Sequence, residues 1–166
     1  MLYSIFRFLF QIIFVVFYRF EVKGHEHVPV SGPVIICSNH ISNLDPPVVG
    51  SSMKRKVRFM AKEELFHIPV VSFLIRKFGT FPIKRGAIDK QGLRNALKLL
   101  KDGEVLGIFP EGTRSKSGEL GQAFPGAAMF ALKSQAPVIP VAIIGPYKPF
   151  KQLNIVIGKP IDLTRF

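Results

Sequence analysis

The stretch VIICSNHISNLDPP, residues 34–47, sets the fold expected for this chain of 166 residues. Its first four residues, 34–37, are apolar and mostly β-branched, which is typical of a buried strand. The pair at 42–43 favours a turn, and Pro46 restricts Asp45 to an extended conformation suited to a helix N-cap. The stretch therefore predicts a strand that ends in a polar turn and leads into a helix.

Similar runs recur along the rest of the chain. Short β-branched segments occur at residues 57–60, 80–83, 105–109, 138–144 and 154–157. Helical patterns lie between several of them, and the clearest is 89–100, where Asp89 can act as N-cap. The apolar face of this helix is formed by Leu93, Ala96, Leu97 and Leu100. We predict a single-domain α/β sandwich with a mixed, partly parallel sheet flanked by helices.

Composition and charge narrow the class of protein. Hydrophobic residues make up 48% of the chain, so some apolar surface should stay uncovered after a core has formed. The net charge of +12 favours polyanionic partners, which include nucleic acid, anionic lipid headgroups and phosphate-rich substrates. The single cysteine, Cys37, excludes an internal disulfide and fits a reducing compartment. We interpret Cys37 as a buried strand residue and not as a nucleophile.

The pattern of residues 1–19 predicts an apolar helix with a thin polar stripe. The uninterrupted apolar stretch, 8–17, is shorter than the ~20 residues that a membrane span needs. We expect the helix to lie flat on a membrane, and the absence of a small-residue cleavage site favours its retention. The alternative is a helix packed on the protein's own core. The side chains expected to enter lipid are Phe6, Phe10, Phe14 and Phe17, and the basic residues expected to approach anionic lipid are Lys54, Arg55, Lys56, Arg58, Lys62, Arg76 and Lys77.

His40 and Asp45 form the first candidate for chemistry. They are five residues apart, so they can pair only if the chain turns between them. A carboxylate that accepts from one imidazole nitrogen leaves the other nitrogen able to take a proton from an alcohol. The alternative is that the spacing is fortuitous and Asp45 serves only as a helix cap.

A second cluster, FPEGTRS at 109–115, follows the apolar run at 105–108 directly. Strand ends in open α/β sheets commonly contact ligands. Arg114 offers a planar fork for a phosphate, Gly112 allows close approach of backbone amides, and Thr113 adds a hydroxyl donor. The alternative is a turn with a surface arginine.

Four blocks occur together in a fixed order: NHISNLD at 39–45, FPIKR at 81–85, FPEGTR at 109–114 and VIPVAI at 138–143. In this order they resemble the phospholipid and glycerol acyltransferase family, and most closely its 1-acylglycerol-3-phosphate acyltransferases. The similarity extends from about Val22 to GKPID at 158–162. Bacterial relatives commonly continue with further helix, whereas this sequence stops at Phe166.

The resemblance implies an enzyme that needs no metal and no cofactor. It implies acyl-CoA or acyl-carrier-protein as donor and a lysophospholipid, 1-acylglycerol 3-phosphate, as acceptor, with phosphatidic acid as product. His40 would be the general base, Asp45 would orient it, and Asn39 would support the turn. The residues assigned to substrate binding are Lys84, Arg85, Glu111, Gly112, Thr113 and Arg114. Among them, Glu111 is expected to position Arg114 through an ion pair.

This interpretation divides the chain into a membrane-associating helix, 1–19, and an acyltransferase domain, 20–166. We expect association with anionic lipid on the cytoplasmic face of a bacterial inner membrane. Nucleic acid is not an expected partner, because RNA-binding aromatic motifs are absent from the sequence. Two alternatives stay open: an acyltransferase or transacylase that uses glycerol 3-phosphate or another lysophospholipid, and a non-catalytic basic membrane-binding module.

Overall fold

A computed structural model describes residues 2–84, 89–161 and 163 of the chain. Its centre is a seven-stranded sheet in the order β1-β7-β6-β2-β5-β3-β4. The strands are β1 (Phe20–Lys23), β2 (Val34–Ser38), β3 (Val57–Lys62), β4 (Phe81–Ile83), β5 (Val105–Ile108), β6 (Val138–Ile144) and β7 (Leu153–Ile157). Strands β2 to β6 run parallel to one another. Strand β7 pairs antiparallel with β6, and β1 pairs parallel with β7 at the edge of the sheet. The predicted mixed α/β sheet is confirmed, and the sequence reading missed only β1 among these strands.

Helices cover both faces of the sheet. They are α1 (Leu2–Phe17), α2 (Asp45–Ser52), α3 (Pro69–Lys77), α4 (Lys90–Lys101) and α5 (Gly126–Ser134), with short 3₁₀ helices at His25–His27 and Glu63–His67. The predicted helix 89–100 is confirmed as α4. The Asp89 carboxylate accepts from the amides of Gln91 and Gly92, so it caps this helix as expected.

Two apolar clusters fill the space between the sheet and its helices. Successive residues of β2 alternate between them, because neighbouring side chains of a strand point to opposite faces. Val34 and Ile36 join the cluster that contains Phe14 of α1 and Val48 of α2. Ile35 joins the cluster formed with α4 and α5. Helices on both faces give the α/β sandwich with flanking helices that the alternating pattern predicted.

Helix α1 has an inner face that belongs to the core. Phe14 is 1% exposed, and Phe6 and Phe10 pack on the ring of Phe78. The Arg7 guanidinium donates to the carbonyl of Met53 at 2.9 Å. The prediction that Phe6, Phe10 and Phe14 enter lipid is therefore wrong, because these side chains face the protein.

The outer face of α1 is apolar and exposed. Its exposed side chains are Ile5, Phe8, Leu9, Ile12, Val15, Val16 and Phe17. Within the described part of the chain, no helix has the length and apolar character needed to cross a membrane. The helix therefore combines a face that serves the fold with an apolar face that stays largely exposed.

Part of the basic segment 54–62 also serves the fold. The Arg55 guanidinium donates to the carbonyls of Pro29, Gly32 and Gly103, and Arg58 pairs with Glu104. Lys54 and Lys62 are exposed. The segment consequently offers fewer cations to a lipid surface than its sequence suggests.

Candidate active site

The turn after β2 brings the predicted pair together. His40 Nδ1 lies 2.6 Å from Asp45 Oδ2, so the expected pairing of these side chains is confirmed. Asp45 is not an extended N-cap, however, and that prediction is wrong. It is the first residue of α2, because Pro46 and Pro47 occupy the first helical turn, where a missing N–H costs nothing. From there its carboxylate points back into the turn.

The Asp45 carboxylate is fully buried and fully hydrogen-bonded. Its side chain is 0% exposed. Oδ2 also accepts from the amides of Ile41 at 2.6 Å and Ser42 at 2.7 Å. Oδ1 accepts from the Tyr147 hydroxyl at 2.6 Å. A buried carboxylate requires such donors, because an unsatisfied one would carry a large desolvation cost.

The imidazole plane is held by an aromatic stack. His40 packs on Phe109 with ring centroids 4.2 Å apart, and Phe109 packs on Phe59 at 5.5 Å. A side chain at Gly107 would place its Cβ 2.4 Å from the Phe59 ring, so β5 needs glycine there. Because Nδ1 faces Asp45, Nε2 is the ring nitrogen left for a substrate. The His40 side chain is 16% exposed, so the ring is not sealed from solvent.

Asn39 fixes the end of β2 to the neighbouring strand. Its side-chain amide donates to the carbonyl of Ile143 at 3.0 Å, and its oxygen accepts from the amide of Ile143 at 2.8 Å. These side-chain bonds reach β6 two residues beyond Val141, where the backbone pairing of β2 with β6 ends. Asn39 thus supports the turn by anchoring its first residue on β6.

Glu111 joins the loop after β5 to the histidine. Its side chain is buried, and it accepts from the amides of His40 at 3.0 Å and Gly121 at 2.9 Å. The predicted ion pair between Glu111 and Arg114 is wrong, because the carboxylate is occupied by backbone donors. The amide of Ser115 completes the junction by donating to the His40 carbonyl at 2.7 Å.

The tip of the same loop points to solvent. Gly112 adopts a left-handed conformation with φ 65° and closes a turn on the carbonyl of Phe109. Thr113 and Arg114 are exposed. No described residue forms a hydrogen bond or ion pair with the Arg114 guanidinium. The Arg114 side chain is thus exposed, while the next residue, Ser115, contacts the backbone of His40.

The FPIKR block lies farther away. Strands β5 and β3 separate β4 from β2, so the structure does not group Lys84 with the His40 turn. The Lys84 ammonium lies 4.0 Å from Glu63, and the Lys84 amide donates to Asp89. Arg85 lies outside the described residues.

Two functional contacts were missed from the sequence. The sequence alone assigns no role to Phe109 or Tyr147, although Phe109 packs on His40 and Tyr147 bonds Asp45. Tyr147 follows β6 at the same sheet edge, which is the signal that could have identified it. Burial and the hydrogen bond to Asp45 raise the pKa of Tyr147 above its ordinary value, so the hydroxyl keeps its proton at neutral pH. Cys37 lies in β2 as predicted but is half-buried, and desolvation raises the pKa of its thiol to about 11.

The comparisons with known proteins agree with this geometry. Residues 19–144 match the family model described as Acyltransferase. The chloroplastic 1-acyl-sn-glycerol-3-phosphate acyltransferase BAT2 of Brassica napus is 36% identical over 87% of this chain, which covers 46% of that relative. The 1-acyl-sn-glycerol-3-phosphate acyltransferase of Bacillus subtilis is 30% identical over 88% of this chain and 75% of its own length.

A solved structure shares the whole fold. The 1-acyl-sn-glycerophosphate acyltransferase PlsC from Thermotoga maritima superposes with a TM-score of 0.81 and 29% identity. The match covers 99% of this chain and 70% of that one. The chain spans less than half the length of the Brassica napus relative and of the similar chloroplastic acyltransferase LPAT1 of Arabidopsis thaliana. Because the family model matches most of its length and the relative from Bacillus subtilis is 30% identical over 88% of it, the chain belongs to the acyltransferase family.

Proposed function

We propose that this chain transfers a fatty acyl group from a thioester donor to the free hydroxyl of 1-acylglycerol 3-phosphate, which gives phosphatidic acid. The observation that carries the proposal is the 2.6 Å contact between His40 Nδ1 and the buried Asp45 carboxylate. Because this contact uses Nδ1, Nε2 of the partly exposed ring is the nitrogen that can accept a proton from the substrate. The names of the relatives from Brassica napus and Bacillus subtilis support this acceptor.

The reaction needs one proton acceptor. His40 Nε2 takes the proton of the acceptor hydroxyl as the oxygen attacks the thioester carbonyl carbon. The C–S bond then breaks, and the thiolate leaves with a proton from the imidazolium. The Asp45 carboxylate keeps the proton on Nδ1 in the required tautomer and stabilises the imidazolium while it exists. No acyl-enzyme forms in this sequence of steps.

Arg114 is the residue suited to the acceptor phosphate. Its guanidinium is exposed, and the next residue, Ser115, bonds the backbone of His40. A planar guanidinium can hold two phosphate oxygens at once. The donor is proposed to be acyl-CoA or acyl-carrier-protein, since both bring negative charge to a chain of net charge +12.

The test measures free thiol released by the purified protein. Acyl-CoA and acyl-carrier-protein are each offered with 1-acylglycerol 3-phosphate, glycerol 3-phosphate or another lysophospholipid, and lipid products are identified by mass. We expect turnover to be fastest with 1-acylglycerol 3-phosphate. Preference for another acceptor would reassign the substrate, and no thiol release with any pair would favour the non-catalytic membrane-binding module.

We also propose that the enzyme works on a membrane surface through the outer face of α1. Phe8 and Val15 of this face are 63% and 60% exposed. A second group of exposed apolar side chains lies at α3 and consists of Ile68, Val70 and Phe73. The last turn of α3 carries two basic residues, Arg76 and Lys77. Phe78, which follows α3, packs on α1. Apolar helix faces beside basic residues are suited to anionic lipid.

Point substitutions on the outer face test this without disturbing the core. The variant Phe8→Gln with Ile12→Gln should bind vesicles of phosphatidylglycerol at least about tenfold more weakly, because two large side chains lose apolar burial. The matched control is Val30→Gln with Leu120→Gln, which changes two exposed apolar residues elsewhere. Equal sedimentation of the two variants with vesicles at high salt would show that α1 is not the anchor.

A further inference from the structure

The loop between β6 and β7 brings one side chain into the buried dyad. This loop starts at Gly145, where a Cβ would lie 2.3 Å from the carbonyl oxygen of Gln152. Glycine is thus required for the tight approach of the two ends of the loop. Two residues later, the Tyr147 hydroxyl donates to Asp45 Oδ1 at 2.6 Å across 102 residues of sequence.

The tyrosine is held in place from both sides. Its ring packs edge-on against Tyr18 with centroids 6.1 Å apart, and Tyr18 in turn packs on Phe14 of α1. The amide of Phe150, in the same loop, donates to the carbonyl of Phe17 at 2.6 Å. The loop is thereby fixed to the end of α1, and the hydroxyl has a defined position before any substrate binds.

The two oxygens of Asp45 have different partners. Oδ2 bonds His40 Nδ1 and accepts from the amides of Ile41 and Ser42. All three residues lie within five positions of Asp45 in the sequence. Oδ1 receives the Tyr147 hydroxyl, and no other described residue donates to it. Removal of that hydroxyl would leave one oxygen of a fully buried carboxylate without a protein donor.

We propose that Tyr147 is a positioning residue of the dyad, which sets the proton affinity of His40 through its hydrogen bond to Asp45. The inference rests on the proposed function of His40 as general base. Tyr147 does not touch the reacting atoms, so its effect must pass through the carboxylate.

The sign of the effect follows from the charges. When His40 is neutral, the Asp45 carboxylate carries an uncompensated charge that the tyrosine hydroxyl stabilises. When His40 is protonated, the imidazolium already balances that charge, so the hydroxyl contributes less. The hydroxyl therefore favours the neutral dyad, and its loss must raise the pH at which the dyad takes up a proton.

The experiment compares Tyr147→Phe with Tyr18→Phe. Both changes delete one hydroxyl and keep the ring, but among the described residues the Tyr18 hydroxyl forms no hydrogen bond. The titration of His40 is followed by NMR of the imidazole, with His40→Ala used to assign its signal among the four histidines. We expect the midpoint to rise by about one pH unit in Tyr147→Phe and to stay unchanged in Tyr18→Phe.

The acid limb of kcat/KM should move in the same direction by a similar amount. A fluorinated tyrosine at position 147, whose hydroxyl is a stronger donor, should move both readouts to lower pH. An unchanged His40 midpoint in folded Tyr147→Phe, or an equal shift in Tyr18→Phe, would overturn the proposal. The NMR titration does not depend on turnover, so a protein that transfers no acyl group would refute the proposed function separately.

Discussion

The loops that follow β2 and β5 meet at His40 but are organised in opposite ways. The β2 loop, 39–44, is closed by the Asp45 carboxylate, which bonds the His40 side chain and the amides of Ile41 and Ser42 at 2.6 to 2.7 Å. The β5 loop is fixed on either side of its tip, where Glu111 accepts from the His40 amide and the Ser115 amide donates to the His40 carbonyl. Its tip, with Thr113 and Arg114, is exposed.

This difference separates two tasks of the proposed enzyme. A general base must be aligned before the substrate arrives, since small misplacement lowers the rate strongly. A phosphate-binding arginine gains its partner only from the substrate, so it needs no partner in the free protein. We infer that the β2 loop determines the chemical step and the β5 loop determines acceptor binding.

The strongest test removes the base from the closed loop. His40→Ala should lower kcat/KM by at least ~100-fold, the lower end expected for general base catalysis. The ring is partly exposed, so the fold should persist, as circular dichroism can verify. His25→Ala, which changes an exposed histidine, is the matched control. Near-normal turnover in folded His40→Ala would remove the central assignment.

An intermediate effect is expected at the junction of the two loops. In wild type the amides of His40 and Gly121 each donate to a different oxygen of the Glu111 carboxylate. Glu111→Gln keeps only one of these oxygens, so one amide loses its acceptor and the free energy of unfolding should fall by about 1–3 kcal/mol. Urea unfolding measures the change. Glu119→Gln, on the exposed part of the same loop, should be close to wild type. If the two variants are equally stable, Glu111 does not hold the loop against His40.

The smallest effect should come from the open tip. Arg114→Lys keeps the charge but loses the planar fork, so the acceptor KM should rise roughly 5- to 10-fold with little change in the donor KM. Steady-state kinetics with each substrate varied in turn would measure both values. Arg94→Lys, on the exposed surface of α4, is the control. A rise confined to the donor KM would assign the β5 loop to the donor instead.

Much of the site could be predicted, but several contacts could not. His40, Asp45 and the FPEGTR block were identified because each is a short motif at a strand end. The partner of Glu111 was predicted incorrectly, because Arg114 is its neighbour in sequence while the amides of His40 and Gly121 are its neighbours in space. Lys84 was assigned to the site from its block alone, and the sheet order separates it by two strands.

The sequence by itself determined the strands β2 to β7, the helix 89–100 and the pairing of His40 with Asp45. These depend on alternation, capping and turn formation, which act over a few residues and can be read locally. Only the tertiary structure decided which face of α1 enters the core and that Tyr147 reaches Asp45. Such contacts depend on β6 lying beside β2 and on the competition of every apolar face for the same core, and no local pattern contains that information.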